Sequence, residues 1–146
     1  MGAVSVSRMR VLSLDVGQRR IGVALSDALG LTAQPLTVLE RRGTTADLDA
    51  LAALVAQHQV ETIVVGLPLT MRGERGPQAQ RAASFADTLR RKVSVPVELA
   101  DERLTTVQGE RALLETDTSR RKRKQVIDQI AAQLILQQYL DVSRPA

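Results

Sequence analysis

The sequence RVLSLDVGQRRIGVALS, residues 10–26, contains two short apolar segments separated by a polar turn. Residues 10–16 predict a buried strand, and residues 21–26 continue with apolar residues at alternate positions, as strands do. The four residues between them fit the connection of a β-hairpin. A third strand is predicted around residues 34–39, with Pro35 near its start, as an edge strand permits. The chain therefore opens with a predicted three-stranded meander.

The remainder of the chain alternates between helical and strand patterns. Helices are predicted from apolar spacing of three to four residues, and strands from short β-branched runs. The predicted helices lie around residues 48–55, 77–92, 104–114 and 125–141, and the predicted strands at 61–67 and 94–99. This order fits a mixed α/β sheet with helices on both faces. No internal repeat or dividing linker is visible, so we expect one domain over residues 1–146.

Composition restricts the kinds of site that the chain can build. It has 146 residues, no cysteine and one histidine, His58, which excludes a zinc site built from nitrogen and sulfur ligands. A metal would be held by carboxylates and carbonyls, which suits magnesium or manganese. No apolar run approaches the ~20 residues that span a bilayer. The first ten residues lack a secretory signal, so we expect a cytoplasmic protein.

Basic residues are unevenly distributed, although the formal net charge is only +4. Residues 120–124 read Arg-Arg-Lys-Arg-Lys, a cluster that favours a polyanionic partner. A solvated surface explains such a cluster equally well. The only aromatic residues are Phe85 and Tyr139, so base stacking on aromatic side chains is not expected.

Acidic residues occupy two predicted strand ends and one apolar helix face, where they are candidate ligands. Asp15 ends the first predicted strand, Asp101 and Glu102 follow the last one, and Asp128 begins an apolar stripe of the final helix. Carboxyl ends of strands are the usual ligand-binding edge of open α/β sheets. Each acid also has an ordinary structural explanation: a turn residue, a helix cap, or a charge near a helix N-terminus. Three converging carboxylates can hold two hard cations ~4 Å apart and activate water against a phosphate.

Four stretches in order resemble the YqgF/RuvX family of Holliday junction resolvases and pre-ribosomal RNA nucleases. They span nearly the whole chain: Leu14–Gly17 with Arg20–Ala24, Val64–Leu69, Asp101–Thr106, and Lys122–Asp141. The resemblance implies a ribonuclease H-like fold, with the first three strands antiparallel and the last two parallel. It also implies a catalytic, metal-binding trio of Asp15, Glu102 and Asp128, with Asp101 as the alternate second acid. Mg²⁺ or Mn²⁺ is the implied cofactor.

Six basic side chains are candidates to contact phosphates, although each is also an ordinary surface charge: Arg19, Arg20, Arg72, Arg103, Lys122 and Lys124. The predicted partner is nucleic acid, either branched DNA or precursor ribosomal RNA, and the sequence does not separate the two. Resolving a symmetric junction takes two cuts and hence a homodimer. The alternative function is a non-catalytic nucleic-acid-binding factor that retains the fold. The Asp15-x-Gly17 turn also resembles the phosphate loop of actin-like ATPases, but that architecture needs two such domains.

Overall fold

A computed structural model describes residues 10–70, 72–102 and 120–143, with only the backbone described for 120–125 and 143. The strands are β1 (Val11–Val16), β2 (Arg20–Ser26), β3 (Ala33–Glu40), β4 (Thr62–Leu67) and β5 (Val97–Asp101). The helices are α1 (Thr44–Gln57), α2 (Pro77–Lys92) and α3 (Arg120–Ser143). None of the helices in these ranges is long and apolar enough to cross a membrane.

The five strands form one mixed sheet in the order β3-β2-β1-β4-β5. Strands β1, β2 and β3 pair antiparallel, whereas β4 pairs parallel with both β1 and β5. This confirms the predicted topology. Because β1, β4 and β5 run in the same direction, their carboxyl ends lie at one edge of the sheet.

Alternation along β1 separates the two faces of the sheet. Leu12 and Leu14 point into a core shared with α1 and α2. Val11 and Ser13 point to the other face, where α3 packs. The Ser13 hydroxyl donates to the carbonyl of Ala132 at 2.6 Å and fixes the helix on the sheet. The α3 residues buried there are Ile127, Ala131, Ala132, Ile135, Leu136 and Leu140.

Three predicted boundaries were wrong, both ends of β5 and the start of α3. Strand β5 begins at Val97 rather than residue 94, because Pro96 has no N–H to donate to a ladder. The strand continues to Asp101, so this acid is part of the strand and does not follow it. Helix α3 begins at Arg120 rather than residue 125, and its basic run consists of good helix formers. The predicted helix at 104–114 lies outside the described residues.

Candidate active site

Asp15 lies near the carboxyl end of the central strand, on the face covered by α3. It is partly exposed, whereas the other five residues of β1 are buried. It shares its face with Ser13, since side chains two apart in a strand point the same way. On the neighbouring strand Asp15 is opposite Gly22. Nothing larger than hydrogen therefore projects from the adjacent position of β2.

Asp128 reaches the same place from the helix. A Cβ atom added at Gly22 would lie 2.1 Å from the Asp128 carbonyl oxygen and 3.2 Å from its Cβ. The backbone of α3 therefore contacts the sheet directly at Gly22, beside Asp15. The Asp128 carboxylate accepts a hydrogen bond from Arg20 Nε, at 2.9 Å to Oδ2. The two side chains are 18% and 20% exposed, so the ion pair is partly shielded from water.

Glu102 comes to this face from β5. Its backbone N–H donates to the Leu67 carbonyl at 3.2 Å, which continues the pairing with β4 by one residue. The residue is 2% exposed, and both carboxylate oxygens are shielded from solvent. A Cβ added at Gly66 would lie 2.4 Å from Glu102 Oε1. The carboxylate thus occupies the space that the missing side chain at Gly66 leaves. A carboxylate is seldom buried this deeply beside apolar and small residues such as Ile135 and Gly66, which marks Glu102 as a functional candidate.

Strand alternation distinguishes Glu102 from its neighbour Asp101. Asp101 pairs with Leu67, which belongs to the core on the α1 and α2 side of the sheet. Ala100 packs against the α3 core, and Glu102 follows it on that same face. The geometry therefore favours Glu102 over Asp101 as the acid that can join Asp15 and Asp128.

The backbone brings the three acids to one face, but the side chains do not form a closed metal site. Among the described residues, no group of three acidic or histidine side chains stands close enough to hold a metal ion. The expectation of three carboxylates within a metal-bridging span is thus not met as the side chains stand. Asp128 is directed toward Arg20, and Glu102 lies over Gly66.

The six basic residues predicted to contact phosphates differ in where the structure places them. Arg20 contacts Asp128, whereas Arg19 is exposed on the turn between β1 and β2. Arg72 is exposed in the loop that follows β4. Arg103 lies outside the described residues. Lys122 and Lys124 belong to α3, and their side chains are outside the described set.

Two glycines were not recognised from the sequence as part of the site. Gly22 and Gly66 stand inside strands, where glycine is disfavoured and often marks close approach by another segment. A glycine inside a strand is therefore a sequence signal for such a close approach. The sequence does not show that Asp128 and Glu102 are the approaching residues, because this depends on how α3 and the end of β5 pack on the sheet.

This sheet and its docked C-terminal helix define a ribonuclease H-like fold. Thermus thermophilus RuvC, solved in complex with a Holliday junction substrate, superposes with a TM-score of 0.56. The two chains are 15% identical, and the match covers 94% of this chain and 99% of that one. The fowlpox virus Holliday junction resolvase superposes with a TM-score of 0.53 at 14% identity, covering 92% and 99% of the chains. At 14–15% sequence identity, this structural similarity establishes the fold alone.

The chain belongs to the RuvX family, described as Holliday junction resolvases, whose profile matches residues 9–142. A relative from Myxococcus xanthus is 54% identical over 137 residues, covering 94% of this chain and 91% of the relative. One from Moorella thermoacetica is 58% identical over 133 residues, covering 91% and 95%. Both carry the name "Putative pre-16S rRNA nuclease". The resemblance seen in the sequence is confirmed.

Proposed function

We propose that this protein is a metal-dependent nuclease that hydrolyses phosphodiester bonds of nucleic acid. The observation that carries the proposal is the meeting of Asp15, Glu102 and Asp128 at one face of the sheet. They come from two strand ends and a helix, and they share this face with apolar and small side chains and with Arg20, which pairs with Asp128. Three carboxylates brought to one face from separate elements form the kind of ligand set that a divalent cation takes.

The donor set suits a hard divalent cation. The three side chains offer only carboxylate oxygens, the ligands that Mg²⁺ and Mn²⁺ prefer. Gly22 and Gly66 leave room for the carboxylate-bearing segments to approach the sheet, as the contacts of an added Cβ show. One or two such cations, when bound, would polarise the scissile phosphate and stabilise the leaving oxygen. Asp15, Glu102 and Asp128 would hold them, and we propose the two-metal form.

The chain's own residues would position the nucleic acid. Arg20 lies at the acids and Arg19 on the adjacent exposed turn, so both can contact phosphates on either side of the cut bond. In the hydrolysis a water oxygen bonds to phosphorus and the water loses a proton, the bond from phosphorus to one sugar oxygen breaks, and that sugar oxygen takes up a proton.

Two substrates agree with the names of the relatives and of the family, precursor 16S ribosomal RNA and the four-way DNA junction. For the RNA, we propose cleavage at the 5′ end. A junction has two strands to cut symmetrically, so that substrate would need a homodimer. Sedimentation of the protein alone and with junction DNA measures the stoichiometry.

Cleavage of both labelled substrates with Mg²⁺ or Mn²⁺ tests the proposal. Asp15→Asn and Glu102→Gln are each expected to abolish cleavage while the far-ultraviolet dichroism spectrum stays the same. The matched control is Asp101→Asn, which removes a charge one residue away on the opposite face and should retain cleavage. Parental activity in Asp15→Asn would refute the assigned role. Binding without cleavage in the parent protein, under either metal, would leave the non-catalytic binding factor as the function.

A further inference from the structure

A cleft lies between α2 and the start of α1, on the sheet face opposite α3. Its volume is about 340 Å³. The side chains around it include two arginines and three hydroxyl groups, and no aspartate or glutamate is among the described residues that line it. The principal lining residues are Arg41, Thr44, Arg81, Ser84, Phe85 and Thr88.

Arg41 is held rigidly at this cleft by three contacts. Its Nε donates to Asp47 Oδ2 at 3.0 Å, and its Nη1 donates to the Gly17 carbonyl at 3.2 Å. The guanidinium carbon lies 5.1 Å from the ring centroid of Phe85, within the range of a cation–π interaction. These hydrogen bonds use two of the five N–H donors of a guanidinium. A side chain fixed in this way loses little further entropy when a ligand binds.

Arg81 supplies the net positive charge of the cleft. Asp47 is 3% exposed and offsets the charge of Arg41 through their ion pair. Arg81 is exposed and, within the described parts of the chain, forms no ion pair. The hydroxyls of Thr44 and Ser84 add neutral hydrogen-bond donors. Two arginines with hydroxyl groups match the charge and the acceptor oxygens of a phosphate.

The cleft is close to the proposed active site by way of the turn after β1. Gly17 follows Asp15 by two residues, which is about 7 Å of extended chain. The Gly17 carbonyl is in turn hydrogen-bonded to Arg41. The path around the edge of the sheet is therefore on the order of 10 Å, about three nucleotides at the rise of a duplex strand. Arg19, exposed on the same turn, lies along this path.

We propose that the cleft between α2 and the start of α1 binds a backbone phosphate of the nucleic-acid strand, a few nucleotides from the bond that is cut. The inference rests on the proposed function for its ligand. It extends the substrate contact from the α3 face, around the end of β1, to the opposite face of the sheet.

Arg81→Gln tests the cleft, with Arg91→Gln as the matched control. Both arginines are exposed on α2 and carry the same charge, but ten residues separate them by about 15 Å along the helix. Binding is measured by fluorescence anisotropy in EDTA, with a labelled four-way DNA junction and a labelled single-stranded RNA of ~20 nucleotides. Arg81→Gln should weaken binding by roughly 3- to 10-fold and reduce the slope of log K against log [salt] by about 0.7–0.9. Arg91→Gln should change neither by a comparable amount.

Equal losses in the two variants would show only a long-range effect of net charge and would overturn the proposal, as would no loss in Arg81→Gln. Because binding is read without metal, the result is independent of cleavage. If the parent cuts its substrate but Arg81→Gln and Arg91→Gln bind nucleic acid with equal affinity, the cleft proposal is wrong and the proposed nuclease function is unaffected. If the Arg81-specific loss is seen but the parent never cuts, the catalytic proposal fails and the cleft stands.

Discussion

Replacing Gly22 by alanine is expected to destabilise the protein by forcing α3 away from the sheet. The added Cβ would lie 2.1 Å from the Asp128 carbonyl oxygen and 2.7 Å from its carbonyl carbon. Non-bonded atoms have their optimal separation at about 3.5 Å, so the helix backbone would have to move by about 1.4 Å. That movement would loosen the packing of the buried residues Ala131 and Ala132.

The expected loss of stability follows from two opposing effects. Overpacking a buried site typically costs about 1–3 kcal/mol. Replacing glycine by alanine recovers about 0.4–1 kcal/mol through the unfolded chain. Because the obstacle at Gly22 is backbone, which cannot rotate away, we expect a net loss of about 2 kcal/mol. For a chain of this size that lowers Tm by roughly 4–8 °C, which thermal melts followed by circular dichroism can resolve.

Gly66→Ala should affect function more than stability. Its Cβ would meet Glu102 Oε1 at 2.4 Å and Ile135 Cδ1 at 2.5 Å, both at the ends of flexible side chains. These ends can move, so we expect a stability loss within about 1 kcal/mol. The carboxylate would nevertheless be displaced by about 1 Å, a shift that can lower a catalytic rate about 100-fold. Measuring both the cleavage rate and Tm distinguishes Gly66→Ala, which should lose mainly activity, from Gly22→Ala, which should lose stability.

Gly76→Ala is the control for both substitutions. Gly76 precedes α2 with a φ of −74°, and an added Cβ there meets nothing within 4 Å. Its Tm should stay near that of the parent. If Gly22→Ala melts at the same temperature as Gly76→Ala, the helix does not contact the sheet as described. If Gly66→Ala cuts at the parental rate, the placement of Glu102 over that glycine does not matter for activity.

Arg20→Gln is expected to bind Mn²⁺ about two- to fivefold more tightly, because it removes a partly exposed ion-pair partner that competes for the Asp128 carboxylate. Titration with Mn²⁺ followed by electron paramagnetic resonance measures this affinity. Arg19→Gln, at the exposed neighbouring position, is the control, and an equal increase in its affinity for Mn²⁺ would show that only the net charge matters. Asp27 accepts backbone hydrogen bonds, chiefly from Thr32, that hold its pKa below the usual 3.8. Its stabilising contribution is thus present at neutral pH and lost as the pH falls through its lowered pKa. The Tm deficit of Asp27→Ala at pH 7 should therefore shrink below pH 3.8, and a constant deficit would contradict this.

Local patterns sufficed to predict most of the sheet. The alternation in residues 21–26 and the β-branched run before Leu67 correspond to β2 and β4 almost residue for residue. Pro96 shows where such reasoning fails. The apolar pattern around it continues, but the missing N–H delays the ladder to Val97. The pairing of Asp101 with Leu67, which extends β5 beyond the predicted end, had no signal in the sequence pattern.

The placement of Asp15, Glu102 and Asp128 on one face of the sheet agrees with the sequence analysis, but their catalytic role stays a prediction. The arrangement of their side chains was not predicted. Asp15 and Asp128 were recognisable because aspartate is out of place at a strand end and on an apolar helical stripe. The choice between Asp101 and Glu102 depends on which face each residue takes, and that follows from the strand register. The ion pair of Arg20 with Asp128 joins residues 108 positions apart, and no local pattern encodes it.

Chain order has a consequence for how the enzyme is made. Asp128 is synthesised 113 residues after Asp15 (128 − 15), and the last strand ends at Asp101, before α3 begins at Arg120, so a nascent chain can pair its strands before α3 has left the ribosome. Until then the apolar surface around Val64 and Ala24 is uncovered and one of the three acids is missing. On the proposed function, an unfinished copy would be unable to cut the RNA of the ribosome that is translating it.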